Sequence, residues 1–427
     1  MLVFVFLCMP LKRLRFCFVA TFYPPHSFGG DGIFVHRLAN ELAERGHEVE
    51  VVHCIDAYRA LSKLSPGEAC RNHPNVKVHG LRSPLGILSP LLTHQTGLPL
   101  LKQRALRRIF SRDFDVIHYH NISLVGGPRI LFYGRAVKLF TMHEYWLVCP
   151  THSLFKFNRR PCSRRHCLPC SLVHGRPPQL WRWCRPFLRS SVGQVDAFIA
   201  MSRFIKAKHQ EYFPDLPIVE LPPFAPVARR ESSLDAPADP HLPGERYFLY
   251  VGRLEKLKGV HTLIPFFRRN PAIPLWIAGT GGFETRLREM APGANVRFLG
   301  HIPEPALRDL YRGAIAVIVP SICYEVSPLV ILEAFRESTP VIARRIGGLP
   351  ELVEDSGGGT VYGTDDELAA ALGKLSADPG YRRELGELGY RAFRERWTAA
   401  AHVDRYLDLI DRLAAGMAGP SAATGAE

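Results

Sequence analysis

At 427 residues, with 47% apolar and 22% charged side chains, the chain is globular and too long for one compact core. Two domains of about 200 residues each fit the usual size range. No apolar run reaches the ~18 residues that a bilayer-spanning helix needs. The net charge of +14 is uneven: residues 1–220 hold 30 Lys+Arg against 14 Asp+Glu, and residues 221–427 hold 24 against 26. The basic half predicts an anionic surface or substrate, with membrane phospholipid and nucleic acid as the candidates. No nucleic-acid motif with interleaved aromatics accompanies it, so nucleic acid is not the expected partner.

Met1–Pro10 is apolar but lacks a preceding basic region and a small-residue cleavage site, so it is not expected to be a signal peptide, and Met9 is an alternative start. Ten scattered cysteines without a secretory signal predict a reducing, cytoplasmic compartment with reduced or metal-bound thiols.

In chain order, Leu14–Phe22 is a predicted strand, followed by a turn containing Gly29, Gly30 and Gly32. A helix over Ile33–Arg45 follows, packing through Phe34, Leu38 and Leu42; Gly46 ends it, and Glu48–His53 is the next strand. This is a βαβ unit whose glycine turn lets backbone approach a ligand, although its spacing is not the dinucleotide fingerprint. Leu100–Arg112 reads as a basic amphipathic helix that either lies on an anionic membrane or packs on the core with a solvated face. Strands at Asp115–His118, Ala136–Met142 and Ala197–Ala200, the last leading into a helix capped by Ser202, continue the alternation of a doubly wound parallel sheet.

Between the last two strands, residues 149–184 form a cysteine-rich basic insertion with Cys149, Cys162, Cys167 and Cys170 among Arg159, Arg160, Arg164, Arg165 and His166. Cys167 and Cys170 have the two-residue spacing of thiolate zinc sites, which makes the four a candidate structural zinc site, with unligated thiols in a basic loop as the alternative. Residues 226–243 lie in a stretch rich in Pro, Ala and charge and read as an interdomain linker. The first domain is thus expected over 1–225 and the second over 244–400, with a last helix over 401–416 and a frayed tail beyond it.

The second domain predicts another parallel sheet, with strands at Tyr247–Leu254, Leu275–Ala278, Val296–Leu299, Ala314–Pro320 and Val341–Arg344. Its chemistry centres on Tyr324–Glu333, where Glu325 lies in a loop, Ser327 is expected to cap a helix, Pro328 to open it, and Glu333 lies one to two turns along it. The free N–H groups of such a first turn suit a phosphate. Arg253 leaves the end of the first strand and Lys258 precedes the next helix; ligands of parallel sheets bind beyond the strand carboxyl ends, so both cations can face that helix start across one crevice. A diphosphate held by guanidinium, ammonium and helix N–H groups needs no metal. The turn Gly279-Thr280-Gly281 adds a second close approach.

Taken together, Gly29-Gly30-Asp31-Gly32, Arg253 with Lys258, Gly279-Thr280-Gly281, Phe298-Leu299-Gly300, the Glu325/Glu333 pair and Gly347-Gly348-Leu349-Pro350-Glu351 resemble the successive motifs of the retaining glycosyltransferases of family 4. The resemblance runs from about residue 15 to residue 400. It implies the GT-B fold, two Rossmann-like domains facing each other across a cleft, with the acceptor on the first domain, a nucleotide sugar on the second, and the last helix crossing back to the first. It also implies that Arg253, Lys258 and the N–H groups of Leu329 and Val330 hold the diphosphate, that Glu333 binds the ribose hydroxyls and Glu325 the donor sugar. By the same resemblance Gly300-His301-Ile302 borders the base, Gly30 approaches the donor, and His143 lies near the reacting sugar. Many members have Gly-Phe-Gly after the first acid where this chain has Val326-Ser327-Pro328, which leaves the sugar open.

The expected function is therefore metal-independent retaining transfer from a UDP, GDP or ADP sugar to a lipid-linked or envelope polysaccharide acceptor at the cytoplasmic membrane face. The alternatives are a transferase with a soluble acceptor, a nucleotide-sugar epimerase of the same fold, and a basic polyanion-binding protein with a vestigial cleft.

Overall fold

The computed structural model describes residues 13–27, 29–62, 70–227, 246–272 and 274–418. The apolar start Met1–Pro10, most of the expected linker and the tail beyond Ala418 lie outside these residues. The described residues form two compact units, those within 1–141, 179–197 and 409–427 in the first, and those within 142–178 and 198–408 in the second.

The first sheet begins with β1 (Arg15–Val19), β2 (Glu48–Cys54), β3 (Val76–Leu81), β4 (Val116–Tyr119) and β5 (Val137–Met142). A small antiparallel pair, β6 (Phe155–Lys156) and β7 (Arg160–Pro161), intervenes before β8 (Ala197–Ala200) and β9 (Ile218–Glu220). The seven long-sheet strands run in the order β3-β2-β1-β4-β5-β8-β9, and the pairings β1–β2, β1–β4, β2–β3, β4–β5 and β8–β9 are parallel. β4 and β5 are covered on both faces, with every residue buried, and their polar members are hydrogen-bonded inside: His118 Nε2 lies 2.7 Å from Thr141 Oγ1, and Lys138 Nζ donates to the Leu131 carbonyl at 2.8 Å. The helix after β1 starts earlier than its apolar pattern indicates, at Gly30, and ends at Glu44 with Phe34, Leu38 and Leu42 buried at four-residue intervals. Gly46 then takes a left-handed φ of 90° and turns the chain into β2.

The expected helix over Leu100–Arg112 divides into a single tight turn, Leu100–Lys102, and a helix, Gln103–Phe110. Leu106, Ile109 and Phe110 are buried, so that helix packs on the core and does not present a free amphipathic face. Lys102, read as part of the solvated face, is also buried.

The second unit contains a six-stranded sheet of β10 (Tyr247–Val251), β11 (Leu275–Ala278), β12 (Val296–Gly300), β13 (Ala314–Val319), β14 (Val341–Arg344) and β15 (Gly359–Tyr362). Its order is β12-β11-β10-β13-β14-β15, parallel throughout. The chain winds outward from β10 to one edge and then returns to its other side, so the switch point falls between β10 and β13. Alternation along β10 sends Leu249 into one core layer, with Val317, Ile331 and Phe335, and Phe248 and Tyr250 into the other, with Leu263, Ile264 and Ile318. Both faces are thus covered by core, which leaves the strand ends as the place where a ligand of such a sheet binds.

One glycine fixes that switch point. Gly259 has a φ of 77°, and a Cβ on it would lie 1.9 Å from the carbonyl oxygen of Pro320, immediately beyond β13. Gly259→Ala is expected to destabilise the protein by about 1–3 kcal/mol from the backbone strain alone, read as a lower urea midpoint, and an unchanged midpoint would rule out this close packing.

Candidate active site

β10 and β13 deliver their successor loops side by side, and the two loops meet in an ion pair. Lys258 Nζ donates to Glu325 Oε1 at 2.7 Å, and Ser321 Oγ donates to the same oxygen at 2.6 Å. The Lys258 side chain is 27% exposed and that of Glu325 13%. Burial would raise the Glu325 carboxyl, but the Lys258 ammonium, its hydrogen bond and the Ser321 hydroxyl outweigh it and hold the acid below 4.5. Burial would lower Lys258, yet the Glu325 charge dominates and its pKa is raised. Lysine and carboxylate are thus both charged, each the counter-ion of the other.

The loop that carries Glu325 is held from behind by the Gly347-Gly348 turn. The Gly348 N–H donates to the Glu325 carbonyl at 2.9 Å. Gly347 has a φ of 63°, and a Cβ there would come within 2.7 Å of the Glu325 backbone. The glycines of this motif serve the acid's backbone, and Glu351 at its end accepts N–H bonds from Arg203 and Phe204 at 2.7 Å each, capping the helix Arg203–Gln210.

The helix after Glu325 runs from Leu329 to Arg336, with Pro328 at its N-cap. Ser327 does not cap it: its hydroxyl is buried with no hydrogen-bond partner among the described residues. Proline, having no N–H and a fixed φ, ends the extended stretch and takes the cap position itself. Ile331 donates to the Pro328 carbonyl at 3.2 Å, while helix geometry gives the N–H groups of Leu329 and Val330 no acceptor within the helix. Farther along, Glu333 accepts from the Tyr311 hydroxyl at 3.2 Å and is partly exposed.

Arg253 follows β10 and is about half exposed, paired with Glu255 at 2.7 Å. Gly281 belongs to the turn after β11, where a Cβ would lie 2.4 Å from the carbonyl oxygen of Leu254, so its small size serves packing against the Arg253 loop. Gly279 likewise abuts Gly252, and its N–H donates to the Gly300 carbonyl at 2.7 Å. His301, next in line, is exposed at the end of β12. In the first unit, Gly29 is the N-cap and Gly30 the first residue of the helix that follows β1.

His143 follows β5 directly. Burial pushes its pKa down to about 4, against the opposing pull of Glu144, so the imidazole is neutral near pH 7. Glu144 is itself held low, the His152 partner 2.8 Å away overcoming burial. The ring of Tyr145 lies edge-on to Tyr324, centroids 6.5 Å apart, which brings this segment to the residue preceding Glu325. Ser321, Tyr145, Tyr311 and Glu351 carry interactions at the site that pattern reading did not assign; Ser321 left a trace as a polar residue ending an apolar strand four positions before an acid.

The four cysteines of the insertion share one lobe, formed by β6, β7 and the helix Cys167–Val173. Three of the sulfurs have partners outside the set. Cys149 Sγ contacts Thr151 Oγ1 at 3.3 Å, Cys170 Sγ accepts the Phe157 N–H at 3.2 Å, and the Cys162 thiol donates to the Arg164 carbonyl at 3.6 Å. Among the described residues no three His, Cys, Asp or Glu side chains are grouped to hold a metal ion. The expected zinc tetrad is therefore not assembled among the described residues, and the described cysteines are not joined in disulfides.

Proteins of known kind share this organisation. The family description "Glycosyltransferase Family 4" matches residues 28–229, and "Glycosyl transferases group 1" matches residues 235–392. The glycogen synthase of Mycobacterium tuberculosis is 29% identical over 417 residues, covering 90% of this chain and 91% of that protein. Among solved structures, sucrose-phosphate synthase from Thermosynechococcus elongatus superposes with a TM-score of 0.69 at 22% identity, covering 95% of this chain and 100% of that one. HepE from Anabaena, solved with UDP-glucose, gives a TM-score of 0.60 at 17% identity, over 96% of this chain and 100% of that one. These likenesses establish the GT-B fold, two domains of parallel sheet.

The ion pair sets a pH dependence. The depressed Glu325 contributes stability that is present above its unfolded value near 4.5 and is lost as pH falls through its lower folded value. Lys258→Met, which strands the carboxylate, is expected to cost about 1–3 kcal/mol at pH 7, discounted for partial exposure. The deficit should shrink between pH 6 and about pH 4 as the stranded acid protonates, and adding Glu325→Gln should recover most of it. Denaturation curves across that range check this; a deficit independent of pH would dissociate the two residues.

Proposed function

We propose, for a chain that belongs to family 4 of the GT-B glycosyltransferases, that it moves a sugar with retention of configuration from a nucleoside-diphosphate sugar to a lipid-linked or envelope polysaccharide acceptor at the membrane face. The observation that carries the reading is the meeting of Lys258, Glu325 and the open start of the Leu329 helix at the carboxyl ends of β10 and β13. A cation already tied to a carboxylate, next to free helix N–H groups, forms a place where a diphosphate gains hydrogen bonds and a compensating charge at once.

In this reading Lys258, Arg253 and the N–H groups of Leu329 and Val330 hold the diphosphate and stabilise the charge that grows on it as the glycosidic bond breaks. Ionised Glu325 accepts from sugar hydroxyls while Ser321 fixes its orientation. Glu333, steadied by Tyr311, accepts from the ribose diol, and the backbone around His301 borders the base. Neutral His143 offers a hydrogen bond to the sugar without adding a charge. Catalysis is then electrostatic, with the leaving diphosphate taking the acceptor's proton, and no residue needs to ionise near pH 7. That HepE was solved with UDP-glucose supports a nucleotide-sugar donor.

Thermal shift with UDP, GDP and ADP tests the donor site. A nucleotide at about a hundred times its dissociation constant stabilises the folded state by roughly 2.7 kcal/mol, and Glu333→Gln should reduce that shift. Lys258→Ala should lower kcat/KM by roughly a hundred- to a thousand-fold, the range for losing one preorganised charge partner. Nuclear magnetic resonance of the product would show the donor's anomeric configuration retained. If no nucleotide shifts the melting curve, the reading fails.

His143 gives a separate expectation. With its pKa near 4, the pH profile of kcat/KM should have no limb between pH 6 and 7 from this residue. A limb in that window that vanishes in His143→Asn would overturn the neutral assignment.

A further inference from the structure

The first unit carries a surface that runs against the usual rule of burial. In the helix Leu88–Thr96 the inward positions are Ser89, Pro90 and Thr93, while Leu88 and Leu91 face solvent. What holds the polar side inward is Lys102, itself 2% exposed, whose Nζ donates to Ser89 Oγ at 2.9 Å and to Thr93 Oγ1 at 3.2 Å. Burial lowers the pKa of this lysine. The helix is thus amphipathic with its apolar side turned outward.

Neighbouring segments enlarge the apolar side. The Leu180–Trp183 turn packs against the same helix, with the indole N–H of Trp181 donating to the His94 carbonyl at 3.1 Å. That anchor leaves Trp183 outside, 69% exposed. Ile87 is 61% exposed at the helix start, and Leu100 and Leu180 are exposed beside it. More than half of the exposed large apolar side chains among the described residues fall within residues 85–101 and 180–183. Isolated exposed leucines need no explanation, whereas a contiguous group does.

The exposed charge of these segments has one sign. No Asp or Glu occurs between residues 70 and 112 or between residues 145 and 195. Arg82, Arg104, Arg107, Arg108, Arg185 and Arg189 are all exposed in these stretches. Leucine, isoleucine and tryptophan among exposed arginines complement an anionic bilayer, into whose interface the apolar side chains enter while the guanidinium groups meet lipid phosphate; Asp56, which accepts the Ser83 N–H at 2.7 Å, is buried and leaves that surface positive.

We propose that residues 82–108 and 179–189 of the first unit form a docking surface for an anionic lipid bilayer, with Ile87, Leu88, Leu91 and Trp183 as the inserted side chains. The proposal deepens the transferase reading by giving it a place for a lipid-borne acceptor, but its observations are independent of the nucleotide site.

The test uses the full chain and sedimentation with vesicles of phosphatidylcholine alone or with about 30% phosphatidylglycerol. The wild type should co-sediment with the anionic vesicles and much less with the neutral ones, and raising salt from about 0.05 M to about 0.5 M should release it in part. A triple variant, Ile87→Ser/Leu91→Ser/Trp183→Ser, changes only exposed side chains and should lower anionic-vesicle partitioning at least tenfold. Arg104→Gln/Arg107→Gln/Arg108→Gln should lower it as well and flatten its salt dependence. No binding by the wild type, equal binding to both vesicle types, or a triple serine variant that binds like the wild type would each overturn the proposal. So would a concentration-dependent oligomer of the wild type that the serine variant turns monomeric, because a second copy would then cover the surface. The UDP thermal shift, measured on the same variants, should not change; its absence in the wild type would count against the donor site and leave the vesicle result standing.

Discussion

A charge withdrawn from water must be matched, and the Lys258–Glu325 pair is where this constraint organises the second unit. The two residues come from the loops that follow different strands, and they meet because β10 and β13 are neighbours in a sheet whose order reverses there. Keeping the strand ends close demands Gly259 against Pro320, and keeping the acid's loop in place demands Gly347 against the Glu325 backbone. Three features that look separate in the sequence, a lysine before a glycine, an acid before a proline and a paired glycine, are therefore one mechanical unit. Ser321 completes it by donating a second hydrogen bond to the carboxylate oxygen that already bears the ammonium.

Much of this was legible in the sequence alone, because the signals involved are local. The strands β11 and β14 have the limits that their apolar runs indicate, and the helix after β1 buries the three residues that its periodicity selects. What escaped depends on partners distant in sequence. Glu351 caps a helix about 150 residues earlier, and Tyr311 supports Glu333 from a neighbouring helix, neither of which leaves a local pattern. Ser327 shows the reverse error: a serine before a helix suggests a cap, but the proline between them claims the position. The thiols of the insertion are a similar case, since spacing reports only which cysteines are near in sequence, and the fold gives the sulfurs of Cys149, Cys162 and Cys170 backbone and hydroxyl partners.

The charge asymmetry also acquired a location. As a sum over half the chain it said only that something anionic should be met. In the fold, stretches without acids surround a helix that buries serine and threonine around a lysine and turns its leucines outward. The helix Gln103–Phe110, whose sequence periodicity suited a membrane, instead uses its apolar side for the core. Periodicity along a helix states that its two faces differ, and only packing decides which of them is left in water.

The Glu351 carboxylate has one more implication. It occupies the N–H groups that open the Arg203 helix, and Arg203 is fastened further by Asp355 at 2.8 and 2.9 Å. That helix start therefore carries a resident anion, supplied by the chain itself. At the Leu329 helix the cap is a proline, which has no side-chain acceptor to offer, and the buried Ser327 hydroxyl makes no hydrogen bond among the described residues. Of two helix ends in one unit, both electrostatically suited to phosphate, the protein has plugged one with its own side chain and left the other uncapped, and the uncapped one is the end that the proposed diphosphate site uses.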